Sequence, residues 1–341
     1  FKRKNVISLI FSFTMLGIIG YFALSAMQSG DESGIGVTLA KQITRLYPIS
    51  RLFMSYYNFP MYYGMGFYIV LSIVVFYLFV KNASLKYGLL NTLANTKSRY
   101  VNDKVSYERK SVFFALYQKE LGRFLSSYMA VLNAGLGVIL LCVFSICFLF
   151  NSVGQIGNSA GIENINEYLS NLAPVFISSM LSLSCPAASS ISLEGKNIWI
   201  LKSSPVEVKM ILNAKIAVNL TLHLIGYMIS VSVFVLKLDM NLIQVTNLII
   251  VPICYSFFIT VIGISLNKKY PNYDWDSEMI VVKQSLPVIV TGIIGMIAII
   301  TPILLNWLFN LPIIFVLQVV SVVLLVITMG VYLTISKSNF I

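Results

Sequence analysis

Eight apolar runs recur along the chain, at 6–27, 61–80, 128–150, 172–194, 216–238, 248–267, 286–309 and 314–335. Each is close to the roughly 20 residues that an α-helix needs to cross the hydrocarbon of a bilayer. In lipid every backbone donor and acceptor must find its partner inside the protein, so the runs predict a closed helical bundle. Charged residues make up only 11% of the 341 positions, under half the roughly 25% of a soluble domain. The fold class expected is an all-α integral membrane protein with eight transmembrane helices.

Orientation follows from the loops. With the first residues inside, alternate loops place twenty of the 24 Lys and Arg residues on the inner face, leaving Lys41, Arg45, Arg51 and Lys237 outside. Basic residues concentrate on the cytoplasmic side of membrane proteins, so both ends of the chain are expected in the cytoplasm, at the bacterial cell membrane. The net charge of +11 is thus a topology signal, and nucleic acid is not an expected partner. Residues 1–27 open like a signal peptide, basic then apolar. The apolar part is too long for one, and QSGDESG beyond it offers no cleavage site, so a true span is expected. Cys142, Cys147, Cys185 and Cys254 all lie in apolar runs without metal-ligand spacing, which predicts packing groups rather than a disulfide framework.

Three segments of the inner face carry more than topology requires. In SVFFALYQKELGRFLSS, residues 111–127, Phe113, Leu116, Tyr117, Leu121, Phe124 and Leu125 recur at helical spacing, opposite Gln118, Lys119, Gly122, Arg123 and Ser126. That pattern predicts an amphipathic helix lying in the interface, with membrane lipid as a partner. The alternative is the inner end of one long helix. The second segment, SLEGKNIWILKSSPVEVKMILNAK (192–215), holds Ser204, Pro205 and Glu207 at capping-box spacing, which predicts a short helix from Pro205 toward Lys215. Its Trp199, with Ile198, Ile200 and Leu201, predicts a docking surface; a solvated turn is the plainer reading. The third segment, 268–285, joins Tyr270, Tyr273 and Trp275 to Asp274, Asp276 and Glu278. It reads as a partner surface in preference to a metal site, since no His or Cys joins the acids. Glu194, at the inner end of the fourth span, is placed to pair with Lys119 and Arg123 or to remain a solvated end.

Motifs for chemistry are missing. The sequence holds no G-x-x-x-x-G-K-[ST] phosphate cradle, no G-x-S-x-G and no H-E-x-x-H. The one histidine, His223, falls mid-span, where an ionisable group is a functional candidate and a hydrogen-bonded structural group is the commoner case.

ALYQKELGRFLSS leading into YMAVLNAGLG, then SLEGKNIWILKSSPVEVKMILNAK, then YPNYDWDSEMIVVKQS, together resemble bacterial ABC exporter permeases. More narrowly they resemble the Gram-positive type-2 exporters that carry two six-helix halves in one chain. The resemblance implies that 128–341 is one six-helix half, with Lys119, Glu120 and Arg123 on its elbow helix. It makes 81–127 a basic linker ending in that elbow. Residues 1–80, with the outer loop 28–60, would be the last two spans of a preceding half whose first four spans come before this chain.

It further implies that Glu194, Gly195, Lys196, Trp199, Lys202, Ser204, Pro205 and Glu207 form the segment that couples to a separate ATPase subunit. Tyr273, Asp274, Trp275, Glu278, Lys283 and Gln284 would form a second loop facing that subunit. ATP and magnesium would then be held by the partner and no cofactor by this chain. The expected function is a permease, not an enzyme, moving a hydrophobic or amphipathic substrate outward: a drug, a peptide or a lipid-like molecule. An ion-coupled secondary transporter or channel and a membrane scaffold or enzyme are the rival readings.

Orientation can be checked with a membrane-impermeant maleimide on intact cells. Lys41→Cys is expected to be labelled from outside, and Lys202→Cys only after the cells are permeabilised.

Overall fold

The structure, a computed structural model, describes residues 61–95, 111–150, 153–154 and 164–337, with five isolated positions between 12 and 20. The expected first span (6–27), outer loop 28–60 and the later part of the basic linker lie outside the described residues. Those described are helical or irregular, with no strand among them. Six helices are long and apolar enough to cross a membrane, or seven if one bent pair counts as a span.

Two units divide the chain, and α1 (Met61–Asn95) belongs to the first. It runs unbroken past the expected end of its span at residue 80. No Pro interrupts KNASLKYGLLNTLAN, so the helix continues into the stretch expected to be linker.

The second unit holds α2 (Val112–Ser126), α3 (Tyr128–Ala134), α4 (Leu136–Phe150), α5 (Ile165–Ser182), α6 (Ile198–Ser203), α7 (Val208–Lys237), α8 (Leu242–Lys269), α9 (Leu286–Phe309) and α10 (Ile313–Lys337). At its centre is α8, touching α5, α7, α9 and α10. Leu248, Val251, Tyr255, Ile259 and Ile264 run down α8 almost wholly buried. The spans expected at 286–309 and 314–335 appear as α9 and α10 nearly residue for residue.

Other spans depart from expectation. The run 128–150 is not straight: α3 and α4 meet at 65°. Gly135 ends α3, its N–H closing on Val131 O at 3.1 Å. The carbonyl of Ala134 beside the bend is taken by the Ser184 hydroxyl at 2.7 Å. The run 172–194 begins early, at Ile165, and its helix stops at Ser182. Beyond it, two short 3-10 turns, Pro186–Ala188 and Ser192–Asn197, replace α-helix. Pro186 cannot donate the bond that continuation would require.

The capping box is absent as well. Ser204 ends α6 instead of starting a helix; it is extended before Pro205 (φ −73°, ψ 146°), but the chain does not turn helical until Val208. The Ser204 hydroxyl turns back to Leu201 O at 2.8 Å. Helix α7 starts only at Val208, with Glu207 at its cap making no side-chain bond. It then continues through Lys215 to Lys237. Ile211, Leu212 and Ala214 are buried in its first turns, so packing carries the helix through the expected boundary between a short helix and a span.

Helices attract one another in lipid through close van der Waals packing, because the tails are as apolar as the side chains. Gly137 sits where α4 crosses α5, and a Cβ there would lie 1.9 Å from Met180 O. Gly137→Ala is expected to destabilise the fold by about 1–3 kcal/mol through overpacking. Gly122→Ala, with nothing within 4 Å, serves as the neutral comparison. Thermal unfolding in detergent reads the difference.

Candidate functional site

The basic end of the second unit is built around the irregular segment between α5 and α6. Its backbone is buried, and buried polar groups need partners. They come from three helices. From α8, Asn267 Oδ1 accepts the N–H groups of Ile191 (2.7 Å) and Ser192 (3.1 Å). From α7, Asn219 Oδ1 accepts the Ala187 N–H at 3.1 Å and its amide donates to Thr260 at 2.6 Å. His223 also reaches in from α7. Its Nε2 donates to Ser184 O, and its Nδ1 accepts from the Ser256 hydroxyl at 2.7 Å. From α2, Arg123 donates to Ser190 O at 2.8 Å, and Lys215 of α7 donates to the same carbonyl at 2.9 Å.

Around that carbonyl lies a buried charge cluster. Lys215 Nζ stands 2.9 Å from Glu120 Oε2 and 2.9 Å from Glu194 Oε1, with a fully buried side chain. Arg123 pairs with Glu194 at 2.8 Å and with Glu120. Lys119, half exposed, closes on Glu194 at 3.1 Å. The expected pairing of Glu194 with Lys119 and Arg123 is therefore present, and two further groups, Glu120 and Lys215, complete it. Three cations face two carboxylates, tying α2, the irregular segment and α7 together. A cavity of about 40 Å³ beside the cluster is lined by Glu120, Arg123, Lys215, Ser190 and Glu278.

Helix α2 keeps most of its expected wet face in the open: Gln118, Lys119, Gly122 and Ser126 are exposed. Ser127 breaks the chain as the polar pair predicted, closing α2 and capping α3 by accepting from Ala130 N–H at 3.2 Å. The Ser127 hydroxyl also bonds Glu278. Glu120 is buried and Arg123 mostly so, while Phe113, Phe114 and Leu125 are exposed. The ion partners on α7 and at Glu194 draw Glu120 and Arg123 inward, while Phe124 is buried and Leu116, Tyr117 and Leu121 are half-buried.

The segments 192–215 and 268–285 are expected as separate surfaces, yet they dock on each other. Trp275 donates from Nε1 to Ser192 O at 2.8 Å. Its ring lies against Gly195, which holds φ +56°, and a Cβ at that glycine would stand 3.3 Å from the indole. Lys196 pairs with Asp274 at 3.2 Å in full solvent exposure, which contributes little. Lys202 stands 5.9 Å above the Tyr273 ring. Burial pushes the Tyr273 phenol above its ordinary range, and the charge of Glu194 adds to the shift. Trp275, half-buried, thus braces the two segments against each other.

What remains open to a partner is α6. Trp199 is 63% exposed and Ile200 52%, while Ile198 and Leu201 anchor the same short helix in the core. Pro205, Glu207, Lys283 and Gln284 are exposed too. Ser204, partly buried, serves only its own turn. Among the described residues no group of three His, Cys, Asp or Glu could hold a metal ion.

A sequence signal for Lys215 existed. Ile211, Leu212 and Val218, at helical spacing around it, form a buried stripe, so a lysine among them needs internal partners. Counting it as a loop charge missed that.

The family model described as "Membrane protein of 12 TMs" matches residues 2–333. The chain belongs to that family. No curated protein and no solved structure matches it. A multi-span membrane protein is therefore established by family and by helix composition alike.

Removing one member of a buried ion cluster strands its partners at a cost of about 3–5 kcal/mol. Lys215→Met is expected to lose that much, and Lys119→Ala, at the exposed rim, less than about 1 kcal/mol. Unfolding of the detergent-solubilised protein measures both, and equal losses would mean that the cluster is not a unit.

Proposed function

We propose that this protein is the permease of an ATP-driven exporter, worked by a separate ATPase subunit docking on the basic face. That face is cytoplasmic in this reading, both ends of the chain lie inside, and α2 rests in the inner interface. One observation carries the proposal. The exposed Trp199–Ile200 ridge stands on a helix held by Trp275 and Gly195 to one loop, and followed at Val208 by α7. Through Glu194 and Lys215 the same assembly is pinned to α2. A push on the ridge is therefore passed toward two helices of the bundle. ATP and magnesium belong to the partner, and the cargo is hydrophobic or amphipathic.

A second reading has its own observation. Helix α5 breaks within the bundle, and His223, Asn219, Ser256 and Thr260 gather at the break. Discontinuous helices lining a polar site are the hallmark of secondary transporters. Transport driven by an ion gradient in ATPase-free proteoliposomes would favour it.

The exporter reading is tested by affinity purification of the full chain from its host. A nucleotide-binding subunit is expected to co-purify, and Trp199→Ala with Ile200→Ser is expected to lower its recovery about tenfold, the loss of one interface anchor. Recovery of no such subunit with the unaltered protein would sink the reading.

A further inference from the structure

Helices α7, α8 and α10 leave a groove of about 540 Å³ between them, within the range of ligand sites. It continues into a second crevice of about 360 Å³ that shares Ala217, Leu220 and Phe257. Ile216 and Leu220 of α7, Phe257 and Val261 of α8, and Leu325 and Met329 of α10 form the walls. Of the two hydroxyls among the α10 residues, Thr328 is spent on Leu324 O at 2.6 Å and Tyr332 stands at the basic end.

Toward the basic end the groove changes character. Tyr332 donates to Asn213 Oδ1 at 2.9 Å across it. One helical turn before Asn213, on the same face of α7, stands Lys209, exposed to solvent. Seven residues beyond Val261, two turns along the same face of α8, stands Lys268, whose Nζ donates to Ile335 O at 2.9 Å. A dry trough thus ends in a tyrosine–asparagine girdle and two lysines.

We propose that this groove binds an anionic phospholipid, its acyl chain along α7, α8 and α10 and its head group against Lys209 and Lys268. Charge complementarity selects this occupant. Basic pockets between transmembrane helices hold anionic head groups, and aromatic hydroxyls mark the depth of the head-group layer. A neighbouring helix fits less well, because helix contacts in lipid favour small residues that let backbones approach. Here only Ala217 and Thr328 are small, and Phe257, Leu325 and Met329 are large, adaptable side chains suited to a mobile chain. The inference rests on the groove and its charges, not on ATPase coupling, so it stands or falls separately from the exporter reading.

The test is native mass spectrometry of the full chain in detergent, with equal amounts of dioleoylphosphatidylglycerol and dioleoylphosphatidylcholine added. The phosphatidylglycerol adduct is expected to dominate, and Lys209→Gln to cut the preference roughly fivefold, the share of one lysine near an anionic head group. Lys237→Gln, at the far end of α7, is expected to leave it unchanged. Ala217→Trp fills the groove and is expected to remove the adduct while gel filtration stays that of the unaltered protein. Should Ala217→Trp aggregate, Met329→Trp fills the same space from α10. Equal adducts of the two lipids, or an adduct that survives a filled groove, would overturn the proposal. So would disulfide-linked dimers of Leu325→Cys, which would mean that a second copy occupies the groove.

Discussion

Between Leu183 and Asn197 the backbone leaves the α-helix inside a bundle of apolar helices, and every peptide group freed there must be satisfied without water. That requirement organises the rest of the second unit. Asn219 and Asn267 present side-chain amides to the segment, His223 and Ser184 link it to the bend between α3 and α4, and Trp275 ties it to the last basic loop. Each of these groups would be a liability in an apolar helix by itself, since an unpaired buried polar group costs on the order of 1–3 kcal/mol. Together they cancel one another's cost.

The charge cluster is the extreme case of the same logic. A lysine with a fully buried side chain is held by two carboxylates and a carbonyl, and a guanidinium bonds the same carbonyl. Such clusters add little net stability compared with apolar packing, but they punish any change of partner. The consequence for mechanics is a joint with few alternative positions. Helix α2, the irregular segment and α7 move as one body or the ions are left unpaired, and α6, carrying Trp199, is attached to that body. Rigidity at this end contrasts with the groove of α7, α8 and α10, where large side chains line open space and no polar bond crosses the apolar part.

Much of this was legible beforehand, residue by residue. The amphipathic helix before the third span, its break at Ser126–Ser127 and the pairing of Glu194 with Lys119 and Arg123 all followed from spacing and charge. The failures have physical causes. Ser204, Pro205 and Glu207 have the spacing of a cap, but a cap needs the chain to turn helical after it, and residues 205–207 stay non-helical until α7 starts at Val208. The brace from Trp275 was not legible because nothing local reveals that a carbonyl at Ser192 waits for its N–H. Glu120 looked ordinary on α2, paired with Arg123 one turn on, because its buried partner Lys215 is distant in sequence, on α7.

The sequence by itself determined the solvent. Runs of twenty apolar residues read as helices in a bilayer, by a physics that acts on each segment separately. Tertiary structure alone decided where helices break and which charges are buried. A break survives only if side chains from other helices complete its hydrogen bonds, and a buried lysine only if carboxylates from two other segments meet it. Those are properties of the arrangement in space, and no window along the chain contains them.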